Sequence, residues 1–375
     1  MPAYGQPPGY PAPMYQPATA RKPGGSSMMR VILLLGLMVL AIFFIVMIFK
    51  ALSATDDNPG TNVPPPVATT ELPPPTTESS TSPTVEPTKP TDTPGTTTPP
   101  AGTYANDDYV VPDPDLNPPG LPEPQTYGDA QQWLQNNAFY DQMIPVPVRC
   151  EIPNIDPSTA SDAELETYLN DAVACLMRAW GPALEAAGYN ASRPSVTVYS
   201  GEVQSACGKM PAQNALYCAA DQQVYYATDL PSLFPQYMHD PLVPVAVIAH
   251  EFGHAIQAQT GMLFSEMAWQ QYYTDNGDDA SANDLSRRTE VQADCFAGAF
   301  FQAITKAVGV TAKDQTTLGQ VFFSIGDDQL TGDPNFDGDH GQGANRRNWL
   351  KIGLKAPTAG SCNTFADSVS SDQVR

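Results

Sequence analysis

The chain has 375 residues, a net charge of −22 and 39 prolines, most of them ahead of residue 125, whereas all six cysteines and all four histidines follow residue 149. The first 50 residues carry +4 through Arg21, Lys22, Arg30 and Lys50, so the remainder carries −26. An acidic body without a basic stripe repels phosphate backbones, which excludes nucleic acid as a partner. Residues 126–375 are long enough to bury a core and are expected to form a single domain.

Residues 1–29 are rich in Pro, Gly, Tyr and Gln without apolar periodicity and read as a disordered tail. Val31–Phe49 is an unbroken apolar run, and at about 1.5 Å per residue it covers about 28 Å, close to a bilayer's hydrocarbon thickness. Residues 30–50 are therefore expected to be a single transmembrane helix, too long and too far from the start for a cleaved leader. Arg21, Lys22 and Arg30 precede it and Asp56 and Asp57 follow, which places the N-terminus in the cytoplasm and the rest outside. Residues 51–125 are Pro/Thr-rich and read as an extended linker.

Within the domain, Ser161 and Glu164 form a capping box for a helix expected to end near Trp180, where Gly181-Pro182 follows. Residues 195–199, 216–220 and 223–228 read as strands, the last two joined by a turn near Asp221. A second helix is expected from Pro241 or Pro244 to Gly261, and a third from Asp284 to Val308 before Gly309. Residues 326–362 read as loop-rich and acidic, with no helix assigned there. The six cysteines of an exported domain suit three disulfides: Cys207 pairs with Cys218, while the pairing of Cys150, Cys175, Cys295 and Cys362 stays open.

The second helix contains His250-Glu251-Phe252-Gly253-His254. Histidines four apart share a helix face and can both bind one zinc ion, with Glu251 beside them as general base for a bound water. The third helix offers Glu290 as third ligand, and Asp294 one turn on to hold a ligand imidazole. A three-histidine site is not expected, because Gln257 and Thr260 stand where that pattern needs glycine and histidine. His340 or Arg346 is a candidate donor to a developing oxyanion, the alternative being a plain role in its loop. Asp333-x-Asn335-x-Asp337-Gly338 matches the start of a calcium loop, but Ala344 takes the position of its closing Glu, so calcium is not expected.

Over residues 200–355 the chain resembles the bacterial neutral zinc metallopeptidase family, through SGEVQSACG (200–208), LYC (216–218), VYY (224–226), AHEFGHAIQAQTG (249–261), EVQADCFAG (290–298) and HGQGANRR (340–347). It is also similar to the wider gluzincin group. The resemblance implies zinc held by His250, His254 and Glu290, with Glu251 as base, in a mainly helical α+β, zincin-like domain with a small antiparallel sheet. The expectation is a single-pass, membrane-anchored zinc endopeptidase acting outside the cell on peptides or proteins, with the strand of Tyr225 and Tyr226 taking the peptide by strand addition. The alternative is a non-catalytic surface binding domain held together by zinc or disulfides; a structural zinc would need a fourth ligand, for which Cys295 is nearest.

Overall fold

The computed structural model describes residues 104–375. The tail at 1–29, the span at 30–50 and the linker up to residue 103 lie outside the described residues. Among the described residues no helix is long and apolar enough to cross a membrane.

Thr126 caps α1 (Tyr127–Gln135) and Ser161 caps α2 (Asp162–Ala186), each in a capping box. The α2 helix does not stop at Gly181-Pro182 but runs through it. Proline lacks the N–H that would bond the carbonyl of Arg178 four residues back. Asn106 supplies the missing donor, its Nδ2 lying 2.9 Å from that carbonyl. Gly181 leaves room for the Tyr109 ring, which a Cβ would strike. Residues ahead of 126, expected as the end of the linker, thus lie against the domain and complete a helix within it.

The sheet is β1 (Val196–Tyr199), β5 (Gln223–Ala227) and β4 (Ala215–Cys218), in that order. The pairing of β4 with β5 is antiparallel, as an adjacent hairpin requires, but β1 runs parallel to β5. The sheet is therefore mixed rather than antiparallel. A small hairpin, β2 (Gln204–Ser205) and β3 (Gly208–Lys209), intervenes after β1, so the chain re-enters the sheet by a crossover and β5 takes the centre. Val196, Val198, Ala215, Tyr217, Val224 and Tyr226 face the main core. Tyr199, Leu216, Tyr225 and Ala227 pack on the other side with Val203 and Met210.

The α3 helix (Leu242–Gln259) is buried on nearly every side and ends before Gly261, which has φ +76°. It is followed at once by α4 (Met262–Asp275), which has little amphipathic signal in sequence. The α5 helix (Asp279–Val308) begins five residues ahead of the expected Asp284, capped by Asp278, and ends at the left-handed Gly309. Then come α6 (Ala312–Ser324), the short α7 (Asp327–Thr331) and α8 (Gly343–Gly353). The last two correct the reading of 326–362 as loop. The polar α8 is packed by close backbone approach: a Cβ at Gly298 of α5 would meet the Leu350 carbonyl, and one at Gly353 the Cys295 carbonyl. Disulfides join Cys150–Cys175, Cys207–Cys218 and Cys295–Cys362.

Candidate metal centre

Gly253 of α3 sits against Ala293 of α5 so closely that a Cβ would collide with that residue's Cα and Cβ. This contact lies between the two histidines on one helix and between Glu290 and Asp294 on the other, and it brings the four side chains together. His250 Nε2 and His254 Nε2 are 3.1 Å apart. Glu290 places Oε2 3.3 Å from the first and Oε1 3.4 Å from the second. Tetrahedral bonds of about 2.0–2.1 Å to one zinc ion set neighbouring ligand atoms about 3.3 Å apart, so the spacing suits that ion.

The protons on the imidazoles follow from their outer neighbours. His250 Nδ1 lies 2.8 Å from Asp294 Oδ1, a charge contact without hydrogen-bond alignment, and the carboxylate's charge favours a proton on Nδ1. His254 Nδ1 lies 2.8 Å from Gln257 Oε1. The amide of Gln257 cannot turn over, because its Nε2 donates to the Thr289 carbonyl at 2.8 Å and to Gln292 Oε1 at 3.0 Å. With Nδ1 of each ring turned to its outer neighbour, each Nε2 faces the other and a carboxylate. Lone pairs at such spacing repel unless a cation lies among them, which is the donor chemistry of a metal site.

The electrostatics agree. Burial works against a charge on His250, but the Asp294 and Glu290 carboxylates outweigh it and push its pKa up to about 10. Burial also opposes charge on Glu290, yet the histidines hold its carboxyl well below the usual carboxylate range. The cluster attracts positive charge, for which a proton and a metal ion compete.

Glu251 is buried, and its Oε2 accepts the backbone N–H of Tyr217 on β4 at 2.8 Å. That bond was not visible in sequence, since it joins a helix to the outer edge of a sheet. β1 and β4 are the two edge strands, whereas β5 is paired on both sides. The strand of Tyr225 and Tyr226 thus cannot take an added peptide strand, and Tyr226 is fully buried.

His340 stays half exposed, its Nδ1 2.7 Å from Asp339 Oδ1. Asp327 anchors its loop by accepting the backbone N–H groups of His340 and Gly341 at 2.9 and 3.0 Å. Partial burial works against a charge on His340, but Asp339 and Glu290 push its pKa up, to about 9. Arg346 is not a free oxyanion donor: it is buried, and Nε and Nη2 each lie 2.9 Å from an oxygen of Asp294. In the calcium-like loop, Asp337 is paired instead with Arg287 and Arg375. Cys295 is bonded to Cys362, so it offers no thiolate to the centre. The group around the histidines holds three ligand residues among the described residues, which leaves room for a water.

Residues 150–365 match the model of the family described as "Putative neutral zinc metallopeptidase". The chain belongs to this family. Zinc is accordingly its expected cofactor. The chain is 29% identical over 239 residues to "Uncharacterized protein YpfJ" of Escherichia coli (strain K12), covering 60% of this chain and 79% of that protein. It is 31% identical over 206 residues to "Uncharacterized protein Rv2575" of Mycobacterium tuberculosis (strain ATCC 25618 / H37Rv), covering 50% of this chain and 66% of that protein. "Uncharacterized protein Mb2605" of Mycobacterium bovis matches to the same extent. No solved structure matches.

Proposed function

We propose that this member of the family is a membrane-anchored, outward-facing zinc endopeptidase that cleaves peptide or protein substrates. The observation that carries this reading is the convergence of His250, His254 and Glu290 with Glu251 alongside and no fourth protein ligand among the described residues. His250 and His254 would hold zinc through Nε2 and Glu290 through its carboxylate, with Asp294 and Gln257 orienting the two rings. When bound, zinc supplies a Lewis acid that acidifies a water and polarises the scissile carbonyl. Glu251 takes the proton from the attacking water and hands it to the leaving amine. His340, protonated and steadied by Asp339, donates to the carbonyl oxygen as negative charge develops there. The outer edge of β4, the edge strand that meets Glu251, receives the peptide backbone beside the same N–H.

The apolar run at Val31–Phe49 with basic residues ahead of it supports the anchor, and three disulfides suit an oxidising compartment. The experiment is to measure bound zinc and casein cleavage for the wild type and for Glu251→Gln. One zinc per chain is expected in both, with cleavage lowered about 10²–10⁴-fold in the variant. Undiminished cleavage by Glu251→Gln would remove Glu251 from the mechanism. Zinc in both without cleavage in either would favour the binding-domain alternative.

A further inference from the structure

Arg346 is 3% exposed, deeper than a guanidinium goes without a task. It grips both oxygens of Asp294, with Nε 2.9 Å from Oδ2 and Nη2 2.9 Å from Oδ1. The same Nη2 lies 3.5 Å from Glu290 Oε2. Asp294, itself fully buried, turns its Oδ1 to His250 Nδ1 at 2.8 Å. A single planar group on α8 therefore touches the carboxylate that orients one ligand of the centre and also the carboxylate that is another ligand.

We propose that Arg346 is a positioning residue for the metal centre, setting the tautomer of His250 through Asp294 and the orientation of the Glu290 carboxylate directly. This rests on the zinc reading of the centre. The geometry of the fork matters because Asp294 has no freedom left once both its oxygens are pinned. With the fork donating to both of its oxygens, Asp294 can only accept from His250, which favours the proton on Nδ1 and leaves Nε2 for the metal. The pull on Oε2 of Glu290 leaves Oε1 the less engaged oxygen.

Positioning and plain charge balance predict opposite effects. A nearby positive charge repels a divalent cation, so if Arg346 acted only as a charge, its removal would tighten zinc binding and lysine would replace it without loss. If it acts through its fork, methionine and lysine both weaken binding, because neither grips two oxygens at once.

The test uses the full chain, stripped of metal and titrated with zinc against a chromophoric chelator, with the visible spectrum of the cobalt(II) form as a second readout. Circular dichroism checks the fold of each variant. R346K and R346M are each expected to lose about 10–100-fold in zinc affinity, and the cobalt bands are expected to shift. D294N combined with R346K is expected to bind no more weakly than the worse single variant, since both changes break one relay. Wild-type affinity in R346K, or tighter binding in R346M, would overturn the proposal. Should R346M fail to fold, R346K with its cobalt spectrum decides alone. Absence of zinc binding by the wild type would overturn the zinc reading itself, a distinct result.

Discussion

The two histidines of the centre have unlike supports, a carboxylate behind His250 and an amide behind His254. In the proposed zinc site the first would strengthen its ring as a ligand, while the second fixes a tautomer without adding charge. Another acid close by has no such engagement. Glu266 on α4 is 2% exposed, and its Oε1 has no hydrogen-bond partner. Burial, with the charges of Glu290 and Asp339, pushes its pKa up to about 8. Its unfolded value is the ordinary 4.5, so between these values the unfolded chain gives up a proton that the folded one keeps. Native stability is thus drained as pH rises from 4.5 towards 8, and the loss levels off above that. In metal-free protein, Glu266→Gln is expected to melt like the wild type near pH 4.5. Its melting temperature should exceed the wild type's by an increasing margin up to pH 8, a difference on the order of a few kcal/mol. A constant offset at every pH would show that folding leaves the pKa of Glu266 unshifted.

At the scale of elements, the centre exists because three helices approach more closely than ordinary side chains permit. Gly253 lets α3 meet α5 at Ala293, while Gly298 and Gly353 let α5 and α8 share backbone contact. The obstacle to a methyl at 298 is the Leu350 carbonyl, a backbone atom that cannot swing aside. Gly298→Ala should therefore push α8 outward, cost about 1–3 kcal/mol and lift Arg346 away from Asp294. Thermal melting and zinc titration check this together, and a stable variant with unchanged zinc affinity would refute it. The capping box at Ser161 is local, and it makes that helix start readable from a few residues. The helix through Pro182 was not readable, because the donor that completes it, Asn106, is far away in the chain. The same holds for α4 and α8, whose residues are helical by virtue of what they pack against.

On the scale of the whole domain, the segment ahead of α1 is tied to distant parts of the fold. Ala105 N bonds the Pro147 carbonyl at 2.7 Å, Asp115 N that of Arg193 at 2.8 Å, and Gln223 Nε2 that of Asp115 at 2.9 Å. A fragment starting at residue 126 would leave the Arg178 carbonyl without its donor and expose the helix surface beneath Tyr109. Residues 104–375 are thus expected to melt above residues 126–375, by at least about 1–3 kcal/mol in stability. Calorimetry on the two fragments, both with zinc, would show this, and coincident transitions would mean that the segment adds nothing.

From the sequence alone came the motif chemistry: two histidines one helical turn apart, an acid beside them, and Glu290 with Asp294 on a later helix. These were legible because ligand spacing along one helix is a local property, set by 3.6 residues per turn. The β4–β5 hairpin and the Cys207–Cys218 pair were legible for the same reason, their partners being near in the chain. Tertiary structure alone decided the parallel placement of β1, the pinning of Gln257, the bond from Tyr217 to Glu251 and the commitment of Arg346 to Asp294. Each of these joins residues tens of positions apart, and such contacts arise from how whole helices and strands close on one another, which no local pattern encodes.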